Sequence, residues 1–160
     1  MRIAVAADHA GYPLKQSVVD DLKAAGHEVA DLGTHDPNQP DDYPDFAEIA
    51  CEAIRRGAAE RAVVICGSGV GATVAANKFP GIRAAVCHDT YSAHQGVEHD
   101  DMNVVCLGAR IVGQEVAREI VRAFADARFT GEERHVRRLQ KVMAIEARFL
   151  RGECQGKSVV

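Results

Sequence analysis

A cysteine stands where an apolar run opens into glycines, in the stretch "VVICGSGVGATVAANK" at residues 63–78. Glycines follow Cys66 at positions 67, 69 and 71, and a helical pattern follows them. Backbone amides at the head of a helix attract an anion, and a thiolate is favoured in the same place. The turn therefore suits a phosphate, a dinucleotide or a negatively charged intermediate. A P-loop needs lysine directly after its last glycine, and here Lys78 comes about two turns later. A cysteine phosphatase loop would carry arginine where this chain has Ala72. The dinucleotide fingerprint G-x-G-x-x-G is met in part, because the turn reads G-x-G-x-G, and Asp89 closes the next strand at a distance suited to a ribose. Nucleotide binding is thus one reading, and a tight structural turn over a buried Cys66 is another. A third is proton abstraction alpha to a carbonyl, where a base needs amide donors already aimed at the enediolate oxygens. Aldose–ketose isomerisation is such a reaction and requires neither metal nor redox cofactor.

Such a turn has to be held by alternating strands and helices. Strands are expected at 2–7 ("RIAVAA"), 27–33, 61–66, 82–87 and 103–108. Between them, Leu14, Val18 and Leu22 stripe a helix over 12–25, and Phe46, Ile49, Ala50, Ala53 and Ile54 stripe one ending at Gly57. A further helix runs from the glycine turn to about 78, and another from about Thr90 to Val97. Val112, Val116, Ile120 and Phe124 stripe the next, and 132–151 forms a charged terminal helix. Alternation with near-continuous apolar strands predicts an α/β fold with a five-stranded parallel sheet between helical layers and a C-terminal helix. Ligands of such sheets bind beyond the carboxyl ends of the strands. Those ends deliver Asp8 and His9, Cys66 with its glycines, His88 and Asp89, and Gly108 to Arg110.

Length and composition bound the rest. At 160 residues the chain suits one domain, and a net charge of −4 argues against general nucleic-acid binding. No apolar stretch approaches a membrane span, and the opening "MRIAVAADHAGY" lacks the pattern of a secretion signal. The five cysteines contain no C-x-x-C pair, which speaks against a disulfide framework or a thiolate metal site. Cys51, Cys87 and Cys106 sit in apolar segments and read as small buried hydrophobes, while Cys154 belongs to the tail. Free thiols fit a reducing compartment, so we expect a cytoplasmic protein.

Five stretches carry a resemblance: "AADHAGYPLK", "DYPDFA", "CGSGVGATVAANKFPGIRAA", "YSAHQGVEHDDMNVVCLGARIVG" and "RHVRR". Together, and in order from residue 1 to about 150, the chain resembles ribose-5-phosphate isomerase type B, a family related to galactose-6-phosphate and allose-6-phosphate isomerases. The resemblance implies a three-layer Rossmann-like sandwich, with a single sugar-phosphate isomerase domain over 1–150 and a tail over 151–160. It implies interconversion of D-ribose 5-phosphate and D-ribulose 5-phosphate in the pentose phosphate pathway, without metal or cofactor. Six-carbon sugar phosphates are the alternative within the family.

On that resemblance Cys66 is the base that moves a proton between C1 and C2. The amides of Gly67, Gly69, Val70 and Gly71 form the anion hole for the enediolate, with Ser68 at the O1/O2 end. His99 opens the furanose ring. Asp8 and Tyr43 contact sugar hydroxyls or the ring oxygen, and His9, Arg110, Arg134 and Arg138 hold the phosphate. Arg134 and Arg138 are four apart and so share a helix face, while Arg137 reads as a surface residue. Asp100 falls in the substrate-binding set where the family pattern carries asparagine, and an aspartate cannot donate through an amide.

His99 ends a helix that runs back against the strands, which puts it at the amino edge of the sheet and away from Cys66. A catalytic His99 would therefore come from a second subunit across a two-fold interface. The family's shared sites imply the same, so a homodimer is expected, with a dimer of dimers as the larger alternative. No membrane or nucleic-acid partner is expected.

Overall fold

The computed structural model describes residues 1–151 of the chain; Cys154 and the rest of the expected tail lie outside the described residues. Two units are described in turn, Met1–Phe129 and the segment from Thr130 onward. The first carries β1 (Arg2–Ala7), α1 (Tyr12–Ala24), β2 (Glu28–Asp31), α2 (Tyr43–Arg55), β3 (Arg61–Cys66) and α3 (Val70–Ala76). It continues with β4 (Ala84–Val86), α4 (Thr90–Asp100), β5 (Val104–Gly108) and α5 (Gln114–Asp126).

All strand pairs are parallel, in the order β2-β1-β3-β5-β4. The three central strands are the three apolar runs that are buried along almost their whole length. Strand side chains alternate between faces. Ile3, Val5, Val63, Ile65, Val105 and Leu107 therefore point to one core, which includes residues of α1, α4 and α5. Ala4, Ala6, Ala62, Val64, Cys66, Val104 and Cys106 point to the other, which α2 and α3 cover. The result is an α/β sandwich of three layers.

The edge strands are shorter than expected. β4 begins at Ala84 because the Arg83 amide donates to the Asn103 side chain (2.8 Å) and so leaves the ladder. β2 covers Glu28–Asp31, pairing with Arg2–Val5.

Two helix faces also differ from expectation. On α5 the buried residues are Ala117, Ile120, Val121, Phe124 and Ala125, whereas Val116 is exposed and Val112 precedes the helix. A strict i, i+4 series drifts about 40° around the axis at each step, so the core follows i, i+3, i+4 instead. On α2 the buried face is Ala47, Ala50, Cys51 and Ala53, with Ile49 exposed. Small residues supply the fully buried contacts there, and Phe46 and Ile54 pack partly buried against the same core. Finally, α4 runs through Asp100 and closes at Asp101 in a left-handed conformation, so His99 lies inside its last turn and not beyond Val97.

The second unit carries α6 (Glu133–Leu150), the expected C-terminal helix. His135 is buried, with Nδ1 2.7 Å from the Thr130 hydroxyl. No helix among the described residues is long and apolar enough to cross a membrane.

Candidate active site

Because β1 and β3 are neighbours, their carboxyl ends bring Asp8 and His9 beside Cys66. β5 lies on the other side of β3, with Gly108 opposite Cys66, and delivers Arg110. A cavity of about 440 Å3 opens among these ends. Asp8, His9, Tyr43, Cys66, Gly67, Ser68, Gly71 and Arg110 line it, together with Ala10 and Ile111.

The parity of β3 turns the Cys66 side chain toward the α2–α3 face. The residue is only 4% exposed, and its sulfur accepts a hydrogen bond from the Gly69 amide at 3.1 Å. Gly69 has φ +79°, the left-handed region that an L side chain resists. That conformation aims the amide at Sγ. A Cβ at Gly69 would also stand 2.7 Å from a Val86 methyl. At Gly71, a Cβ would lie 2.8 Å from the Tyr43 ring. Tyr43, the first residue of α2, thus rests directly on the start of α3.

The loop's polar groups are mostly engaged with each other. Ser68 Oγ accepts from the Val70 amide at 3.3 Å. The backbone of Arg110 donates to the Gly67 carbonyl at 3.0 Å, and its guanidinium covers the space where a Gly67 side chain would begin. Val70 itself points outward, with its side chain exposed, and does not line the cavity.

Asp8 and His9 form the other wall. Asp8 is 6% exposed, and its Oδ1 accepts from the Gly11 amide at 2.8 Å. Burial pushes its carboxyl above the usual range, with the Gly11 amide and His9 pulling in the opposite direction. His9 meets Asp41, whose Oδ1 accepts from the His9 amide (2.8 Å) and lies 2.7 Å from Nδ1. This contact with Asp41 holds the His9 imidazole above its ordinary range.

The remaining expected residues stand elsewhere. His99 Nδ1 lies 2.7 Å from the Gln95 amide in the last turn of α4. The end of that helix is tied to the amino edge of the sheet, where Arg83 Nε donates to the carbonyls of Asp100 (3.1 Å) and Asp101 (2.7 Å). Neither His99 nor the exposed Asp100 lines the cavity. Arg134 and Arg138 belong to α6 in the second unit, where Arg134 Nε donates to Glu132 at 2.9 Å. Asp89 caps α4, accepting from the Ser92 amide (2.7 Å) and hydroxyl (2.8 Å), so the carboxylate that suggested a ribose contact is occupied by the fold.

Burial pushes the thiols of Cys51 and Cys106 up to about 12 and that of Cys87 to about 11, as befits small hydrophobes. Ala10, Ile111 and Asp41 were not anticipated. Only the clustered acids in "PDDYP" hinted at Asp41, and nothing local tied that loop to His9.

Comparison with known proteins shows the family. The family described as Ribose/Galactose Isomerase matches residues 3–142. Ribose-5-phosphate isomerase B of Escherichia coli is 43% identical over 147 residues, covering 92% of this chain and 97% of that protein. D-erythrulose-4-phosphate isomerase of Pectobacterium atrosepticum is 41% identical over 131 residues, covering 82% of this chain and 86% of that one. The solved structure of Clostridium thermocellum ribose-5-phosphate isomerase B superposes with a TM-score of 0.89 at 46% identity, covering 93% and 99% of the two chains. With a thiol and a glycine turn at the expected sheet edge and such likeness along most of its length, the chain belongs to the ribose/galactose isomerase family of sugar-phosphate isomerases.

Proposed function

We propose that the protein interconverts D-ribose 5-phosphate and D-ribulose 5-phosphate through an enediolate, with Cys66 as the base. The observation that carries this reading is the position of Cys66: among the described cysteines it alone lines the cavity, with an amide aimed at its sulfur. The thiolate takes the proton from C2 of the open-chain aldose. Electrons of that C–H bond form the C1–C2 double bond, and the carbonyl oxygen takes the charge. The amides of Gly67, Gly69, Val70 and Gly71, with Ser68, stabilise that charge; the O2 hydroxyl proton passes to O1, and the thiol returns its proton to C1 as O2 becomes the ketone. Gly69 and Val70 amides first have to exchange their loop partners for the substrate.

Asp8 and Tyr43 hold the sugar, Asp100 belongs to the substrate-binding set, and His9, Arg110, Arg134 and Arg138 take the phosphate. His99 opens the ring from a second copy of the chain, because its own helix carries it to the opposite sheet edge. The ribose-named relatives at 43% and 46% identity support the five-carbon sugar. The relative named for erythrulose 4-phosphate makes a four-carbon substrate the specific competitor. Allose and galactose 6-phosphates are the six-carbon alternative.

The test is turnover of ribose 5-phosphate in heavy water, with deuterium expected on the sugar carbon. No turnover by wild type, or undiminished turnover by Cys66→Ala, rejects the mechanism. Relative kcat/KM across four-, five- and six-carbon phosphates fixes the substrate. Mixing and refolding Cys66→Ala with His99→Ala should restore activity; no recovery sinks the shared site.

A further inference from the structure

His9 and Asp41 are 32 residues apart in sequence, yet one Asp41 oxygen meets both polar groups of His9 on that side. The backbone amide donates at 2.8 Å and ring Nδ1 lies at 2.7 Å. An ionised carboxylate only accepts, so Nδ1 carries a hydrogen. The Asp41 amide also approaches Nδ1, but at 3.5 Å it is far longer than the charge-assisted contact. The pinned amide fixes the backbone and the pinned Nδ1 fixes the ring. His9 Nε2 is left with no hydrogen bond among the described residues, on a ring that lines the cavity.

We propose that Asp41 is a positioning residue for His9, selecting the state with hydrogen on Nδ1 and presenting Nε2 to the phosphate end of the substrate. The inference rests on the phosphate role given to His9 above. A histidine's free nitrogen is set by the bond that the other nitrogen makes. The groups that share this space are Asp8 beside His9, Tyr43 of α2, Cys66 of β3 and Arg110 after β5. Lys15 of α1 is not available to His9, because its Nζ is bound to both oxygens of Asp31 (2.7 and 2.9 Å) and to the Thr34 carbonyl (2.8 Å). Asp41 and then Asp8 act in the same direction, both favouring the charged ring that a phosphate would bind.

The experiment uses the full chain with 15N-labelled histidine, its His9 signal assigned by loss in His9→Gln. In ligand-free Asp41→Asn the His9 midpoint should fall by about half a unit or more. KM for ribose 5-phosphate should rise about fivefold near pH 7.5, and less near pH 6, with kcat within about twofold. The same substitution should leave KM unchanged in a His9→Gln background. A midpoint that stays put, or an equal KM rise without His9, overturns the positioning role. An unchanged KM in His9→Gln alone rejects instead the phosphate role of His9, which is a different failure and removes the function that positioning would serve.

Discussion

The two faces of the sheet are packed in different ways. One is filled by Ile3, Val5, Leu14, Val18, Leu22, Ile65, Leu107, Ile120 and Phe124. The other is filled largely by Ala4, Ala6, Ala47, Ala50, Cys51, Ala62, Ala72, Ala76 and Cys106. The bulky face removes more apolar area from water and so carries the larger share of hydrophobic stabilisation. Small side chains on the other face let backbones come close. The Cys51 thiol of α2 lies 3.9 Å from the Ala76 carbonyl of α3, and the Tyr43 ring sits where a side chain of residue 71 would be. Cys66 points into this thin layer. The thick layer supplies stability, and the thin layer fixes the positions on which the site depends.

If that division holds, the largest loss of stability comes from the thick face and leaves chemistry alone. Phe124 is fully buried, and Phe124→Ala should cost about 3–5 kcal/mol in urea denaturation. The kcat/KM of the folded fraction should stay within about twofold of wild type. A proportional loss of both would show that the two layers are not separable.

The opposite break is Gly71→Ala. The atoms nearest the new methyl belong to the far end of a half-exposed tyrosine, so Tyr43 can swing away at little cost to folding. The displaced ring should lower kcat/KM about 100-fold, or about 2.7 kcal/mol of transition-state stabilisation. Thermal denaturation should change by no more than a few degrees, about what a 1 kcal/mol change would produce. Unchanged kinetics would remove Tyr43 from the site.

The sequence announced the thick face and the sheet edge better than the thin face. Apolar runs mark β1, β3 and β5, and parallel order then forces Asp8, Cys66 and Arg110 to one end. Hydropathy puts Phe46, Ile49, Ala50, Ala53 and Ile54 of α2 inward. Ala50 and Ala53 are buried and Phe46 and Ile54 pack against the core, but Ile49 is exposed, and the buried Ala47 and Cys51 lie off that stripe. Alanine carries little hydropathic signal, so a face chosen for closeness is hard to see in periodicity. His9 and Asp41 meet across 32 residues, which no local pattern records. Val116 was misplaced for a different reason, the drift of a four-residue stripe around a helix with 3.6 residues per turn.

Overfilling the thin face should damage both properties at once. Ala72 is fully buried on α3, one residue past Gly71. Ala72→Leu should cost about 2 kcal/mol in urea denaturation, because a close-packed layer must separate to admit it. It should also lower kcat/KM, since α3 carries the glycine turn. A destabilised variant with wild-type kinetics would mean that the spacing of α3 is not what holds the turn.

The mildest test returns to the thick side, where Asp21 of α1 is buried between Arg118 and Arg122 of α5. Burial alone would push its carboxyl up, but the bonds from Arg122 and Arg118 outweigh it and hold the group below the ordinary value of 3.8. A carboxyl lowered in the folded state adds stability above the unfolded value, and that stability fades as pH falls through the folded value. Both arginines reach solvent, with side chains 35% and 53% exposed, so the pair is screened and its contribution is small. Asp21→Asn should therefore lose about 1 kcal/mol at pH 7, and the gap from wild type should narrow from about pH 4 downward. Urea denaturation at pH 7, 5, 4 and 3 reads this directly. A gap that is constant with pH would assign the loss to packing and not to charge. Because Asp21 lines none of the cavity around Cys66, kcat/KM at pH 7 should not move; if it does, the thick face also positions the site.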